Sequence, residues 1–105
     1  MNPKTNFSEQ CYELLKLIPK GRVTTYGEIA SALNTKAYRA VGTAMGKNRN
    51  PIIIPCHRVV RSDGKVGQYA LGSQKKIELL QSEGVKISDG KILNFEQVFY
   101  RFNGL

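Results

Sequence analysis

The sequence contains few of the residues that bind metals or form disulfides, with two cysteines and one histidine in 105 residues. Cys11 and Cys56 are too few for a disulfide scaffold, and they form no Cys-x-x-Cys pair. A single histidine cannot complete a zinc site with two cysteines. We therefore expect no bound metal, and both thiols are expected to be free in a reducing cytosol.

The chain also lacks the apolar segments that mark membrane and secreted proteins. No run approaches the roughly 20 apolar residues that cross a bilayer. The N-terminal stretch MNPKTNFSEQ lacks the apolar core of a secretion signal. These absences predict a cytoplasmic protein without membrane contact. A hydrophobic content of 41% with 23% charged residues predicts a folded chain, and 105 residues suit one domain.

Acidic residues are scarce, with 8 Asp and Glu against 16 Lys and Arg. The excess is concentrated in residues 20–65, which carry nine Lys and Arg and only two acidic residues. A basic segment of this size favours binding to a polyanion, usually DNA or RNA. The alternative is a positively charged surface that only keeps the protein soluble.

Three helices are predicted in the first half of the chain. Apolar residues between positions 7 and 18 follow a helical repeat, and Cys11 belongs to that stripe, so a buried structural thiol is expected there. Thr25, followed three residues later by a glutamate, is typical of a capping box that opens a short helix through Leu33. A second short helix, over about residues 36–45, completes the outline of a helix-turn-helix.

The second half of the sequence predicts small β hairpins and two more helices. The Asp-Gly pair at 63–64 indicates the tip of a basic hairpin, which would be the wing of a winged helix. Ser73 is expected to cap a helix that ends at Gly84. A second hairpin and a final short helix form a structural tail over residues 85–105. The expected fold is mainly α with small β hairpins, a winged helix-turn-helix-like single domain over residues 1–105.

The second helix of the helix-turn-helix has an unusual surface, because the small residues Ala37, Ala40 and Gly42 surround Arg39. A glycine inside a helix costs roughly 1 kcal/mol relative to alanine, which favours a reason such as close helix packing or close approach of a ligand. From among these small neighbours, Arg39 could reach into a groove of a bound molecule.

The segment NPIIIPCHRVV, residues 50–60, places a thiol next to the only histidine. Its prolines favour extended backbone before them, and the isoleucines between favour a buried strand, so Cys56 is expected at a fixed position after that strand. A free thiol has a pKa of ~8.5, and His57, Arg58 and the basic field could raise its thiolate fraction. By itself the segment also fits a buried structural cysteine. Together with a basic helix-turn-helix, it suggests a nucleophile that reacts with a base.

The string PCHRVV resembles the active-site signature of the O6-alkylguanine-DNA alkyltransferases, also called methylated-DNA–protein-cysteine methyltransferases. The similarity covers about residues 7–84, where IPKGRVTTYGEIA, AYRAVGTAMGKNRNPIIIPCHRVV, SDGKVGQYALG and LLQSEG follow the order and spacing of that family. Many members carry an additional N-terminal domain. The resemblance implies that the active-site and DNA-binding domain stands alone here.

The resemblance implies a catalytic set of four residues. Cys56 corresponds to the nucleophile that accepts the alkyl group, and His57 to a general base that works through a water. Glu83 corresponds to the acid that orients His57, and Asn48 to the asparagine that orders the active-site turn. The implied residues for binding the flipped nucleotide and the DNA are Arg39 as the finger that fills the stack, Tyr26, Met45, Tyr69, Arg58, the backbone at Val59, Ala37, Ala40 and Gly42.

The implied function is repair of O6-alkylguanine in double-stranded DNA by one transfer of the alkyl group, usually methyl, to Cys56. Such a transfer consumes the protein, no cofactor is implied, and a monomer is expected. Leu71 follows Tyr69 and Ala70 where small residues are common in the family. We expect Leu71 to narrow the pocket against bulky groups such as benzyl.

Two other functions stay open at this stage. Alkyltransferase-like proteins share this short length but carry tryptophan in place of the cysteine. They bind lesions without repairing them and hand them to excision repair, whereas Cys56 places this sequence on the reactive side. A winged-helix transcription regulator would explain the charge but would leave Cys56, His57 and Glu83 without a role.

Overall fold

The computed structural model describes residues 6–102. Within them, helices predominate over two pairs of short strands, which confirms the predicted fold class. The helices are α1 Phe7–Leu15, α2 Tyr26–Ala32, α3 Tyr38–Gly46, α4 Ser73–Ser82 and α5 Phe95–Val98. The strands are β1 Thr24–Thr25, β2 Val59–Val60, β3 Ile87–Ser88 and β4 Lys91–Ile92, and a single 3-10 turn covers Cys56–Arg58.

Helix α1 is amphipathic, as its apolar repeat predicts. Asn6 caps it, because the Asn6 side chain accepts a hydrogen bond from the Glu9 amide at 2.8 Å. Cys11 and Leu15 are both fully buried on the inner face. The helix ends at Leu15 rather than at Ile18, since the following turn tightens and the Ile18 amide donates to the Leu15 carbonyl at 3.1 Å. Ile18 is nevertheless only 1% exposed.

Helices α2 and α3 form the predicted helix-turn-helix and pack with α1 around one core. Thr25 caps α2 by accepting a hydrogen bond from the Glu28 amide at 3.1 Å. The Glu28 carboxylate does not return to Thr25, as a full capping box would require. It accepts a hydrogen bond from the Phe102 amide at 3.1 Å and so ties the tail to α2. The buried residues that the three helices share include Cys11, Leu15, Ile29, Val41 and Ala44.

The predicted basic hairpin is reduced to a tight turn closed by a hydrogen bond from the Arg61 amide to the Lys65 carbonyl at 3.0 Å, and strand β2 has no antiparallel partner within residues 6–102. Strand β2 pairs in parallel with β1, with Thr24 opposite Val59. The Asp-Gly turn at 63–64 is present, because the Gly64 amide donates to the Arg61 carbonyl at 3.0 Å. The returning chain, however, bonds to the tail hairpin of β3 and β4, where the Val66 amide donates to the Gly90 carbonyl at 3.0 Å. The predicted wing is therefore a turn that is hydrogen-bonded to the tail hairpin of β3 and β4.

The isoleucines before Cys56 do not form the predicted buried strand. Ile53 is 80% exposed, and Ile52 is 47% exposed with a φ of 83°. The Ile54 amide donates to the Asn50 carbonyl at 2.9 Å, which closes the segment into a turn. The preference of β-branched residues for strands depends on a partner strand, and this short segment between two prolines has none within residues 6–102.

Helix α4 and the tail complete the fold. Ser73 is the first residue of α4 and not its cap, because Gly72 occupies the capping position with a φ of 95°. Gly84, at a φ of 97°, follows the end of α4 as predicted. The predicted second hairpin and final short helix are both present as β3–β4 and α5. None of the helices within residues 6–102 is long and apolar enough to cross a membrane, and the cytoplasmic location stays a prediction.

Candidate active site

Asn48 orders the turn that carries Cys56. Its amide nitrogen donates to the Ile54 carbonyl at 2.8 Å and to the Cys56 sulfur at 3.2 Å. Its amide oxygen accepts from the Asn50 backbone at 2.9 Å. The Cys56 amide closes the turn by donating to the Ile54 carbonyl at 2.7 Å. Asn48 is 6% exposed and Cys56 is 4% exposed, so the sulfur is held in one place by short-range bonds.

His57 and Glu83 form a hydrogen-bonded pair beneath this turn. The His57 Nε2 lies 3.1 Å from Glu83 Oε2, and the histidine is fully buried. Burial lowers the pKa of His57 below its ordinary value, although Glu83 acts to raise it. The ring is therefore neutral near pH 7, and a neutral ring that donates from Nε2 leaves Nδ1 as an acceptor. Nδ1 has no hydrogen-bond partner among residues 6–102.

Arg58 lies in this buried cluster and not at the surface expected for a DNA-binding residue. Its guanidinium donates to both oxygens of Glu83, at 3.0 and 2.7 Å, and to the Ile18 carbonyl at 2.7 Å. The guanidinium therefore uses on Glu83 the pair of N–H donors with which it would otherwise bind a DNA phosphate. Burial acts to raise the pKa of Glu83, but the hydrogen bonds from Arg58 and His57 outweigh it and hold that pKa below its usual value. Arg58 thus fixes the carboxylate that contacts His57.

A pocket of about 840 Å³ opens above the Cys56 turn, between α2, α3 and the loop before α4. The structure brings most of the expected binding residues to its wall. Those that line it together with Cys56 are Tyr26, Arg39, Gly42, Met45 and Tyr69. Tyr69 also reaches the buried pair, since its ring lies edge-on to His57 with centroids 6.3 Å apart. Thiol, histidine and pocket therefore form one site.

The small surface of α3 faces this opening. A Cβ added at Gly42 would meet nothing within 4 Å, so close helix packing does not explain the glycine. Arg39 is exposed on the same surface. Ala37, at the cap of α3, and Ala40 are half-buried and do not line the pocket. The helix surface is therefore open to a molecule that approaches the pocket from outside.

Val59 and Leu71 also lie away from the pocket wall. Val59 is fully buried in β2, and its carbonyl accepts a hydrogen bond from Lys76 at 2.6 Å. Leu71 is 49% exposed and does not line the pocket, where Ala70 takes its place. Leu71 does not narrow the pocket in this structure, because the turn into α4 directs that residue away from the wall, and its effect on bulky alkyl groups stays a prediction.

Lys76 and Arg61 belong to the site although the sequence did not single them out. Lys76 is fully buried beneath the pocket. The sequence did not indicate this, because two consecutive lysines at 75–76 are typical of a solvent-exposed helix face. Arg61 lines the pocket and also a smaller cleft of about 420 Å³ on the outer side of Tyr26. The position of Arg61 directly after the PCHRVV string could have indicated from the sequence that it lies near the site.

The thiol is protonated in this environment before any substrate binds. Burial raises the pKa of Cys56 above its ordinary value. The hydrogen bond from Asn48 and the charge of Lys76 both act to lower it. A change that strengthened these two contacts, or a base that removed the proton, would produce the reactive thiolate.

The chain is similar to known proteins over most of its length. The family model described as "6-O-methylguanine DNA methyltransferase, DNA binding domain" matches residues 6–85, close to the 7–84 expected from the sequence. A methylated-DNA–protein-cysteine methyltransferase of Thermococcus kodakarensis is 52% identical over 83 residues, which cover 78% of this chain and 47% of that protein. A bifunctional methyltransferase/endonuclease of Picrophilus torridus is 45% identical over 93 residues, 88% of this chain and 30% of that protein.

A solved structure of S. pombe Atl1, in complex with damaged DNA containing O6-carboxymethylguanine, is also similar. The TM-score is 0.80 at 32% identity, and the match covers 90% of this chain and 94% of that chain. The chain spans less than half the length of the two curated relatives above, at 47% and 30%. Because the family model spans residues 6–85, the chain belongs to the 6-O-methylguanine DNA methyltransferase family, through that family's DNA binding domain.

Proposed function

We propose that the chain repairs O6-alkylguanine in double-stranded DNA by moving the alkyl group, usually methyl, to the Cys56 sulfur. One observation carries the proposal: Cys56 forms part of the wall of a pocket with room for a base, and the next residue, a neutral His57, is paired with Glu83 and contacts the pocket residue Tyr69. A merely structural cysteine would need neither the pocket nor the buried pair. The similar methyltransferase of Thermococcus kodakarensis supports the same reaction.

The lesion must leave the duplex before this thiol can reach it, because the alkylated O6 is stacked inside the helix. Flipping a nucleotide costs a few kcal/mol, and a side chain that fills the gap offsets part of that cost. We assign that role to Arg39, which is exposed on α3 at the rim of the pocket. The open surface at Gly42 lets the helix backbone come close to the minor groove. Tyr26 lies beside the flipped nucleotide, and Met45 and Tyr69 form walls around its base.

The transfer is a single displacement. The thiol proton moves through a water to Nδ1 of His57, which is free to accept it while Glu83 holds the ring through Nε2. The thiolate then forms a bond to the alkyl carbon, and the bond from that carbon to O6 breaks with its electron pair going to the guanine. The guanine takes up one proton from water, while His57 returns the thiol proton to water. The product on the protein is a stable thioether. One molecule therefore repairs one lesion. The displacement involves no oxidation or reduction, so it needs no redox cofactor.

Double-stranded DNA is the proposed partner, bound by a monomer in the cytoplasm. Residues 20–65 concentrate the positive charge, and Arg39 and Arg61 bring part of it to the pocket. Contacts from such residues to phosphates would dominate binding to undamaged DNA, which should therefore weaken steeply with salt.

Lesion binding without transfer is the second candidate. It is favoured by the similarity to Atl1, which extends over 90% of this chain and 94% of that one. In such a function the pocket would hold the flipped base, and the complex would recruit excision repair. The thiol beside the pocket would then be an unused feature of the site.

One experiment separates the two functions. The protein is incubated with a duplex containing O6-methylguanine, and the peptide that carries Cys56 is weighed. A gain of one methylene on that peptide, absent in the Cys56→Ser variant, is the expected result. Selective binding to the lesion with no change in mass would favour the sensor. If the protein showed neither the change in mass nor selective binding, a transcription regulator would be favoured. Cys56→Ser should keep its affinity for DNA, because the sulfur contributes little to the phosphate contacts.

A further inference from the structure

Lys76 is a buried cation for which the transfer described above has no use. It lies on the inner face of α4 and is fully buried, whereas its neighbour Lys75 is exposed. None of the ion pairs within residues 6–102 includes Lys76. A buried ammonium without a carboxylate partner is costly, so a position that needed only packing would favour an apolar residue.

The ammonium joins two segments that border the thiol. It donates to the Val59 carbonyl at 2.6 Å and to the Gln68 carbonyl at 3.0 Å. Val59 follows the turn that carries Cys56, and Gln68 is part of the pocket wall next to Tyr69. A single side chain thus holds the strand after the nucleophile against the wall that would enclose the base.

The charge of Lys76 also acts on the thiol. Of the cations within residues 6–102, Lys76 is the one whose charge lowers the pKa of Cys56. Burial lowers the pKa of Lys76 itself to about 8, so the amine is mostly protonated at neutral pH. Arg58 is the cation nearest to Cys56 in the sequence, but its guanidinium donates to both carboxylate oxygens of Glu83.

The other titratable groups that interact with Cys56 are neutral near pH 7. Burial raises the pKa of Tyr12 and of Tyr26, and it raises the pKa of Tyr69 to about 12. Burial lowers the pKa of His57, and the charge of Lys76 acts in the same direction. Lys76 is therefore the charged group that acts on the sulfur, and its charge adds to the burial that keeps His57 neutral.

We propose that Lys76 is a positioning residue for the methyl transfer: it holds Val59 and Gln68 around the nucleophile, and its charge stabilises the Cys56 thiolate. This inference rests on the proposed function only for its link to transfer. The coupling between ammonium and thiol can be measured without DNA, so the failure of one can be told from the failure of the other.

The test compares Lys76→Met with Lys75→Met, which makes the same change on the exposed face of the same helix. Iodoacetamide labels both proteins across a range of pH, and the peptides that carry Cys56 and Cys11 are weighed separately. We expect Lys76→Met to label Cys56 about tenfold more slowly near pH 7, where Lys76 is charged, and the difference to shrink above about pH 8 as the amine loses its proton. Methyl transfer from duplex DNA should slow by a similar factor, and Lys75→Met should match the unaltered protein in both assays.

Two results would overturn the inference. One is a folded Lys76→Met protein, shown by an unchanged circular dichroism spectrum, whose Cys56 labelling rate near pH 7 and transfer rate are both unaltered. The other needs no change at Lys76 and so covers a variant that fails to fold. Nitrogen NMR gives the pH at which the Lys76 ammonium of the unaltered protein loses its proton, expected at about 8. The labelling rate of Cys56 should rise less steeply with pH across that titration, because the thiolate loses its neighbouring positive charge, and a rate that shows no such break contradicts the proposal.

Discussion

The amide nitrogen of Asn48 lies 3.2 Å from the sulfur of Cys56, and the same nitrogen donates to the Ile54 carbonyl at 2.8 Å. Asn48 therefore holds the shape of the turn and also contributes to the electrostatic environment of the thiol. Burial raises the pKa of Cys56, and the N–H group of Asn48 that points at the sulfur favours the thiolate and so reduces that rise. The two functions of Asn48 can be separated by substitution.

We expect Asn48→Ala to slow alkyl transfer by about tenfold and to destabilise the fold by about 1–3 kcal/mol, since it removes the sulfur contact and leaves buried backbone groups unpaired. Asn48→Asp keeps the oxygen that accepts from Asn50 but places an acceptor beside the sulfur. Its transfer should be slower than that of Asn48→Ala at neutral pH. Single-turnover rates and denaturant titrations measure the two effects, and equal rates for the two variants would argue against an electrostatic role.

Alkyl transfer should depend on pH through His57. Because burial lowers the pKa of His57, the ring stays neutral at pH values where an exposed histidine is half protonated, near 6.5. We therefore expect the transfer rate to hold between about pH 7 and 6.5 and to fall only at lower pH, as the ring takes up a proton and loses its acceptor. Single-turnover rates on duplex DNA across this range test the prediction. A fall that is complete by about pH 6.5 would show that His57 is not the base.

The stability of the fold should fall in acid for two reasons that add. The unfolded chain binds a proton at His57 near pH 6.5 while the folded chain does not, so stability is lost as pH falls below that value. The pKa of Glu83 is lowered in the folded state, so its contribution is present above about 4.5 and is lost as pH falls through the folded pKa. Calorimetry should show a Tm that decreases steadily from pH 7 to about pH 4.

Glu83→Gln is the control for that behaviour. It leaves Arg58 buried without its carboxylate, and breaking such a pair costs roughly 3–5 kcal/mol, so the variant should have a lower Tm at pH 7. Below about pH 4.5 its Tm should change less with pH than that of the unaltered protein, because the titrating group is gone. An identical acid dependence in both proteins would place the effect at other groups.

Arg39 should matter more for duplex DNA than for a free base. Without its side chain the gap left by the flipped nucleotide stays unfilled, so we expect Arg39→Ala to slow transfer from a duplex by about tenfold or more. Reaction with free O6-methylguanine should change little. Arg49→Ala removes an exposed cation that does not line the pocket and serves as the matched control. If Arg39→Ala slowed both reactions equally, the arginine would act on the base pocket and not on flipping.

The sequence predicts well those features that depend on residues close together in the chain. The cap at Thr25, the end of α4 at Gly84 and the apolar face of α1 each follow from a few neighbouring side chains. The pocket residues of α2 and α3 were also predicted, but through the resemblance to a family and not through periodicity. Neither source gives the distances between them.

Features that depend on distant partners were predicted wrongly or missed. The isoleucines before Cys56 have strand propensity, but no strand within residues 6–102 pairs with them, and β1, far away in the sequence, pairs with Val59 and Val60 instead. Arg58 looks like a surface cation until Glu83, 25 residues away, folds against it. Lys76 resembles Lys75 in every local respect, and only the packing of α4 beneath the pocket makes one of them buried.

Pocket size provides a last prediction, because Ala70 and not Leu71 forms the wall. Leu71→Gly should leave the ratio of methyl to benzyl transfer unchanged, since that side chain is 49% exposed and lies outside the pocket. Ala70→Leu should reduce benzyl transfer by about tenfold or more with a smaller effect on methyl, because overpacking a pocket typically costs 1–3 kcal/mol for the larger group. Competition between O6-methylguanine and O6-benzylguanine oligonucleotides measures both ratios. A change in the ratio for Leu71→Gly would mean that the loop after Tyr69 closes inward when the base is bound.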